Sequence, residues 1–120
     1  MISVCMASYN GAIFIKQQAV SILNQLGLED ELIISDDGSK DNTLEILASL
    51  NDSRIKIYHH SAPHGVVSNF ENAIKHASGD YIFLSDQDDI CVPIYGMLSL
   101  YHPGLPSYLP QGLDNNLYKP

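Results

Sequence analysis

Four short apolar runs divide the first ninety residues, and between them the spacing of apolar residues changes from the period of a strand to that of a helix. The runs are ISVCM (residues 2–6), ELIIS (31–35), RIKIYH (54–59) and YIFLS (81–85). Each is rich in strand formers and is bounded by polar, turn-forming residues. From residue 12 to residue 26, Ile15, Ala19, Ile22, Leu23 and Leu26 recur at helical spacing, which predicts an amphipathic helix stopped by Gly27. A second helix carries Leu44, Ile46, Leu47 and Leu50, and Asn42 with Glu45 three residues later resembles a capping box at its start. A third covers residues 66–77, before Gly79-Asp80 turns into the last run. Regular alternation of this kind confines the chain to the α/β class, with a Rossmann-like parallel sheet, right-handed crossovers and helices on both faces.

The chain is long enough for one such unit. At 120 residues and 45% hydrophobic it can bury a core, but not two ordinary domains. A formal net charge of -8 argues against a nucleic-acid backbone or an anionic membrane surface as the main partner. Cys5 and Cys91 make neither a zinc spacing nor a disulfide framework, so a reduced, cytoplasmic setting is expected. Nowhere do roughly 18 apolar residues run together, and no basic region with a long apolar stretch opens the chain. Neither a membrane span nor a signal peptide is therefore expected.

The fourth run leads into Asp86, Asp88 and Asp89. Like charges about 4 Å apart repel by ~1 kcal/mol in water and by several times that near a protein surface, so the cluster is costly unless a cation joins it. In an extended segment Asp86 and Asp88 share a face, and two oxygen ligands with open positions suit Mg2+ or Mn2+ completed by water and phosphate. A solvated acidic turn explains this stretch equally well when it is taken alone. Ligands of open parallel sheets bind beyond the carboxyl ends of the strands, where ASYNG, SDDGS and SDQDD all fall. There Tyr9 offers an aromatic face to a base, Asp37 an acceptor for a base N–H, and Asp86 to Asp89 a metal seat for phosphates. Singly, each has an ordinary explanation: Tyr9 as packing, Asn10-Gly11 as a tight turn, Asp36-Asp37 as a turn with a helix-favouring charge. Their joint placement points to one crevice.

The segments ISVCMASYNGAIFIKQQAVSILNQ, LIISDDGSKDNTLEIL and ASGDYIFLSDQDDI together resemble the N-terminal half of a family 2 glycosyltransferase with the A-type fold, over roughly residues 1–90. The resemblance implies a strand order of 3-2-1-4 and a site for a nucleotide-diphosphate sugar. Ala7, Ser8 and Tyr9 would line the base, Asp37 would accept from it, Asp86 and Gln87 would lie beside the ribose and sugar, and Asp88 would hold Mg2+ or Mn2+ on the diphosphate. The SDQDDI form is most similar to members that transfer rhamnose and related sugars, which leaves the donor open between a UDP-sugar and dTDP-rhamnose. A saccharide is the acceptor that the resemblance implies for an intact parent, as in polysaccharide biosynthesis. Asn69, Phe70 and Glu71 stand where many members carry an Arg-Asn pair. His59, His60 and His64 are read as loop residues, His64 near the ligand, because Pro63 interrupts any helical pairing of His60 with His64.

Residues 91–120 differ from what precedes them, with five of the six prolines, four of the seven tyrosines, and Asp114 and Lys119 as their only acid and base. The expectation is a truncation or coding-frame change after Ile90, which leaves residues 1–90 as a nucleotide-sugar-binding half-domain, 91–120 as a tail unlike the family, and no general base for catalysis. An uncovered sheet edge would then favour a homo-oligomer or a tail folded over it. Two other functions compete: a nucleotide-binding remnant without chemistry, and a haloacid-dehalogenase-type phosphatase using FLSDQDDI. The second needs its motif after the first strand and a later lysine, for which the chain offers only Lys119.

Overall fold

The computed structural model describes residues 1–61 and 64–87. The expectations for Pro63, for Asp88 and for residues 91–120 lie outside them. Strands β1 (Ile2–Ser8), β2 (Glu31–Asp36), β3 (Ile55–His59) and β4 (Tyr81–Asp86) alternate with helices α1 (Ile15–Leu23), α2 (Thr43–Ser49) and α3 (Val66–His76). The strands form one parallel sheet in the order β3-β2-β1-β4, as the resemblance implies.

Side chains alternate across a strand, and the two faces of the sheet are covered by different helices. Val4, Met6, Leu32, Ile34 and Phe83 pack with Ile15, Ala19, Ile22 and Leu23 of α1 and Leu47 of α2. Cys5 and Ile33 face the other way, toward Ala73 and Ile74 of α3, with Ile82 and Leu84 beside them. The central strands β1 and β2 are buried on both faces, which explains why their sequences read as continuous apolar runs rather than as alternation. Burial also makes Cys5 chemically inert: desolvation, then the nearby Glu31 charge, pushes its pKa up to about 12. Among the described residues no helix is long and apolar enough to cross a membrane.

Helix ends differ from the sequence expectation for identifiable reasons. The first helix stops at Leu23, not at Gly27, because the groups that would extend it are taken elsewhere. Arg54 Nη1 donates to the carbonyls of Leu23 (3.0 Å) and Leu26 (2.9 Å), while the Gly27 amide donates to Asp30 Oδ2 (2.7 Å). Asp52 holds that guanidinium in place through Arg54 Nε (3.0 Å) and Nη2 (2.7 Å). The expected capping box does not form either: Asn42 makes no side-chain cap. Asp41, one residue earlier, accepts from the Thr43 amide (3.1 Å) and hydroxyl and from the Ala12 amide (3.1 Å), so it joins α2 to the β1–α1 loop at the same time.

The amino end of the sheet is organised around Glu31, which is 2% exposed. Its carboxylate accepts from Ser3 Oγ (2.7 Å), from the Ser78 amide (2.8 Å) and hydroxyl (2.7 Å), and from Lys56 Nζ (2.9 Å). Burial pushes its pKa up, but the Ser78, Lys56 and Ser3 donors outweigh that and hold it at about 2.

Candidate functional site

The site lies at the opposite end of the sheet. In the strand register Ala7 pairs with both Ser35 and Asp86, and Ser8 with Asp36, so β1, β2 and β4 end nearly level. Their outgoing loops and the first turn of α3 surround an open cleft of about 520 Å³. Ala7, Ser8 and Tyr9 line it from β1, Asp37, Gly38 and Lys40 from beyond β2, and Asp86 and Gln87 from β4. His64, Gly65, Val66 and Asn69 close it from the start of α3. Ala7, Ser8, Tyr9, Asp37, Asp86 and Gln87, nominated from the sequence, are thus brought to one cleft.

The two acids of the DDGS stretch do different work. Asp36 is fully buried and accepts from Ser8 Oγ (2.7 Å), from the Ser39 amide (2.8 Å) and from Ser39 Oγ (2.6 Å). These bonds fix the turn in which Gly38 takes a φ of 82°, a conformation that favours glycine. Asp37 faces the cleft and is 8% exposed. Its Oδ1 accepts from His64 Nδ1 (2.7 Å) and its Oδ2 from the Gly65 amide (3.0 Å). Burial raises its pKa, but the Gly65 amide, the His64 hydrogen bond and the histidine charges outweigh this and keep the carboxyl below its ordinary value. Asp37 is therefore an anionic acceptor at neutral pH.

The β1–α1 loop is fastened before any ligand arrives. The Asn10 amide donates to Ser39 Oγ (2.9 Å), the Lys40 amide to Asn10 Oδ1 (2.8 Å) and the Gly11 amide to Thr43 Oγ1 (2.9 Å). Tyr9 is 47% exposed, so its ring remains open to stacking. Gln87 holds the Tyr9 backbone from across the cleft: the Tyr9 amide donates to Oε1 (2.8 Å), and Nε2 donates to the Tyr9 carbonyl (2.9 Å). Gly11 makes room for that grip, since a Cβ there would fall 2.3 Å from Gln87 Oε1. Gly11→Ala and Gln87→Ala are each expected to cost about 1 kcal/mol, and the double variant little more, because both remove the same pair of bonds. Urea denaturation of the three variants checks this; fully additive losses would disprove the shared cause.

Sequence reasoning passed over Asn69 as a cleft residue. It is 2% exposed and donates through Nδ2 to the Ser8 carbonyl (3.2 Å), tying α3 to the end of β1. The available signal was its place four residues before Ala73 on the buried stripe of α3, where a polar side chain needs a partner. Lys40 and Gly65 were also missed, and Lys40 adds a cationic side chain to the lining. Among the described residues no group of three or more His, Cys, Asp or Glu could hold a metal ion. Asp86 brings a carboxylate to the cleft, whereas Asp88, the expected metal ligand, lies outside the described residues.

Comparison with known proteins gives this geometry a relationship. UDP-Glc:alpha-D-GlcNAc-diphosphoundecaprenol beta-1,3-glucosyltransferase WfgD of Escherichia coli is 36% identical over 92 residues, covering 77% of this chain and 36% of WfgD. The dTDP-rhamnosyl transferase RfbG of Shigella flexneri is 33% identical over 129 residues, covering 92% of this chain and 44% of RfbG. The chain thus spans less than half the length of either. The structure of S. aureus TarS 1-349 in complex with UDP-GlcNAc superposes with a TM-score of 0.69 at 28% identity, over 74% of this chain and 27% of that TarS fragment. Glucosyl-3-phosphoglycerate synthase from Mycobacterium tuberculosis, in complex with Mn2+, UDP and phosphoglyceric acid, superposes with a TM-score of 0.67 at 26% identity, over 79% of this chain and 36% of the synthase. Residues 3–101 match the sequence profile of glycosyl transferase family 2, and with the parallel sheet in the order β3-β2-β1-β4 they establish that the chain belongs to that family.

Proposed function

We propose that the cleft binds the nucleoside diphosphate of an activated sugar, a UDP-sugar or dTDP-rhamnose, for transfer of the sugar to a saccharide acceptor. The observation that carries this is Asp37: a carboxylate held ionised at the cleft wall, beside the exposed ring of Tyr9, offers an acceptor to a base N–H and a stacking face to the same base. Ala7 and Ser8 form the wall beneath the base, and Asp86 and Gln87 lie on the ribose and sugar side. Asp88 is assigned a divalent metal, Mg2+ or Mn2+, which when bound stabilises the leaving nucleoside diphosphate as a Lewis acid. The UDP-sugar and dTDP-sugar named for WfgD and RfbG, and the Mn2+ with UDP in the mycobacterial synthase, support this reading. Residues 1–90 serve as the donor half of the enzyme. Transfer also needs a general base within hydrogen-bond reach of the acceptor hydroxyl, a role we assign to none of these residues.

A ligand that binds only the folded state raises the melting temperature by mass action. UDP or dTDP is expected to raise it, Mn2+ to enlarge the shift, and Asp88→Asn to remove the enlargement. Equal shifts in the wild type and Asp88→Asn would contradict the metal assignment, and no shift with either nucleotide would contradict the nucleotide reading.

A further inference from the structure

Asp37 is served by two donors from a single dipeptide. His64 Nδ1 reaches one carboxylate oxygen at 2.7 Å and the Gly65 amide reaches the other at 3.0 Å. The two donors form a fork across a separation of 27 and 28 residues in sequence. Gly65 is there for its conformation: its φ is 129°, and nothing lies within 4 Å of where a Cβ would stand. The same glycine begins α3, where its carbonyl accepts from the Asn69 amide (2.9 Å). His64, by contrast, is 70% exposed along its side chain, and its hydrogen bond to Asp37 is directed from solvent onto the cleft wall.

We propose that His64 is a positioning residue for recognition of the nucleobase, a role that rests on the nucleotide reading above. Through Nδ1–H it fixes the rotation of the Asp37 carboxylate, in partnership with the Gly65 amide. A carboxylate has about four acceptor positions, and the fork occupies two. The remaining positions are then held toward the cleft, where they select a base that carries an N–H at its pairing edge. His60 stands near Asp37 and its Nε2 meets Ser68 Oγ (2.8 Å), and among the described residues Lys40 and Asp86 are the other charged side chains lining the cleft. None of these replaces the Nδ1 contact, because the Asp37 oxygens take their side-chain hydrogen bond from His64. A purely structural role, fastening the entrance of α3 to the end of β2, would weaken every ligand of the cleft alike. A positioning role weakens the distinction between bases.

The test compares UDP with 3-methyluridine 5′-diphosphate, which lacks the N–H, by calorimetry on the full 120-residue chain. The wild type is expected to prefer UDP, and His64→Ala to reduce that preference by about 10-fold. His64→Asn, whose Nδ2 can stand in for Nδ1, is expected to restore it. A ligand-free readout accompanies it: the carbon-13 titration midpoint of the Asp37 carboxyl should move up in His64→Ala and less in His64→Asn. An undiminished preference in His64→Ala, an equal loss for both nucleotides, or an unmoved Asp37 midpoint overturns the inference. A wild type that binds neither nucleotide overturns the nucleotide reading and this use of the pair with it.

Discussion

Replacing Glu31 with alanine is expected to remove about 3–5 kcal/mol of folding stability at neutral pH, because each buried donor left without a partner costs about 1–3 kcal/mol. The side chain is 2% exposed, and its loss strands the Ser78 amide and the hydroxyls of Ser3 and Ser78, while Lys56, on the rim, returns to water. Glu31→Gln separates charge from shape. The carboxyl titrates at about 2 in the folded chain against 4.5 in the unfolded one, so ionisation favours folding by about 3 kcal/mol. Because the folded pKa is the lower, this contribution is complete above about 4.5 and is lost as the pH falls toward 2. The stability gap between the wild type and Glu31→Gln should therefore be widest at pH 7 and shrink steadily below pH 4.5. Denaturant melts at several pH values measure it; a gap below about 1 kcal/mol, or one that persists unchanged at low pH, would refute this origin.

The second large effect separates neighbouring residues. Asp37→Ala is expected to weaken UDP binding about 10- to 100-fold, the loss of one charge-assisted hydrogen bond, with the fold intact. Asp36→Ala should do the reverse. Its three hydrogen bonds join β1, β2 and the Ser39 turn in a fully buried position, so its main consequence is lower stability, on the order of 2–4 kcal/mol. Calorimetry and thermal melts on the pair distinguish the two roles. If Asp36→Ala lost only binding, or Asp37→Ala only stability, the division of labour would be wrong.

The order of elements is legible in the sequence because each face of the sheet and each helix stripe imposes its own period. Boundaries are less legible, since groups far along the chain decide them: Arg54 ends α1, and Asp41 rather than Asn42 starts α2. The cleft was foreseeable because loops after parallel strands converge, and three of them carry polar residues. What those residues do to one another was not. Asp37 was nominated as the acceptor, but no local pattern shows that Asp36 spends its carboxylate on Ser8 and Ser39, or that Gln87 spends its amide on the Tyr9 backbone 78 residues away. Likewise His64 was read as a loop residue near the ligand, but its partner, a carboxylate at another strand's end, was not legible from its spacing.

The most direct measurement is the change in backbone amide resonances on adding UDP with diamagnetic Mg2+ to isotope-labelled chain. Convergence of the three strand-end loops on one nucleotide site predicts shifts at Tyr9, Asp37, Gly38 and Gly65 together, saturating with a single binding constant. Shifts confined to the exposed face of α1, around Lys16, Val20 and Asn24, or no shifts at all, would contradict it.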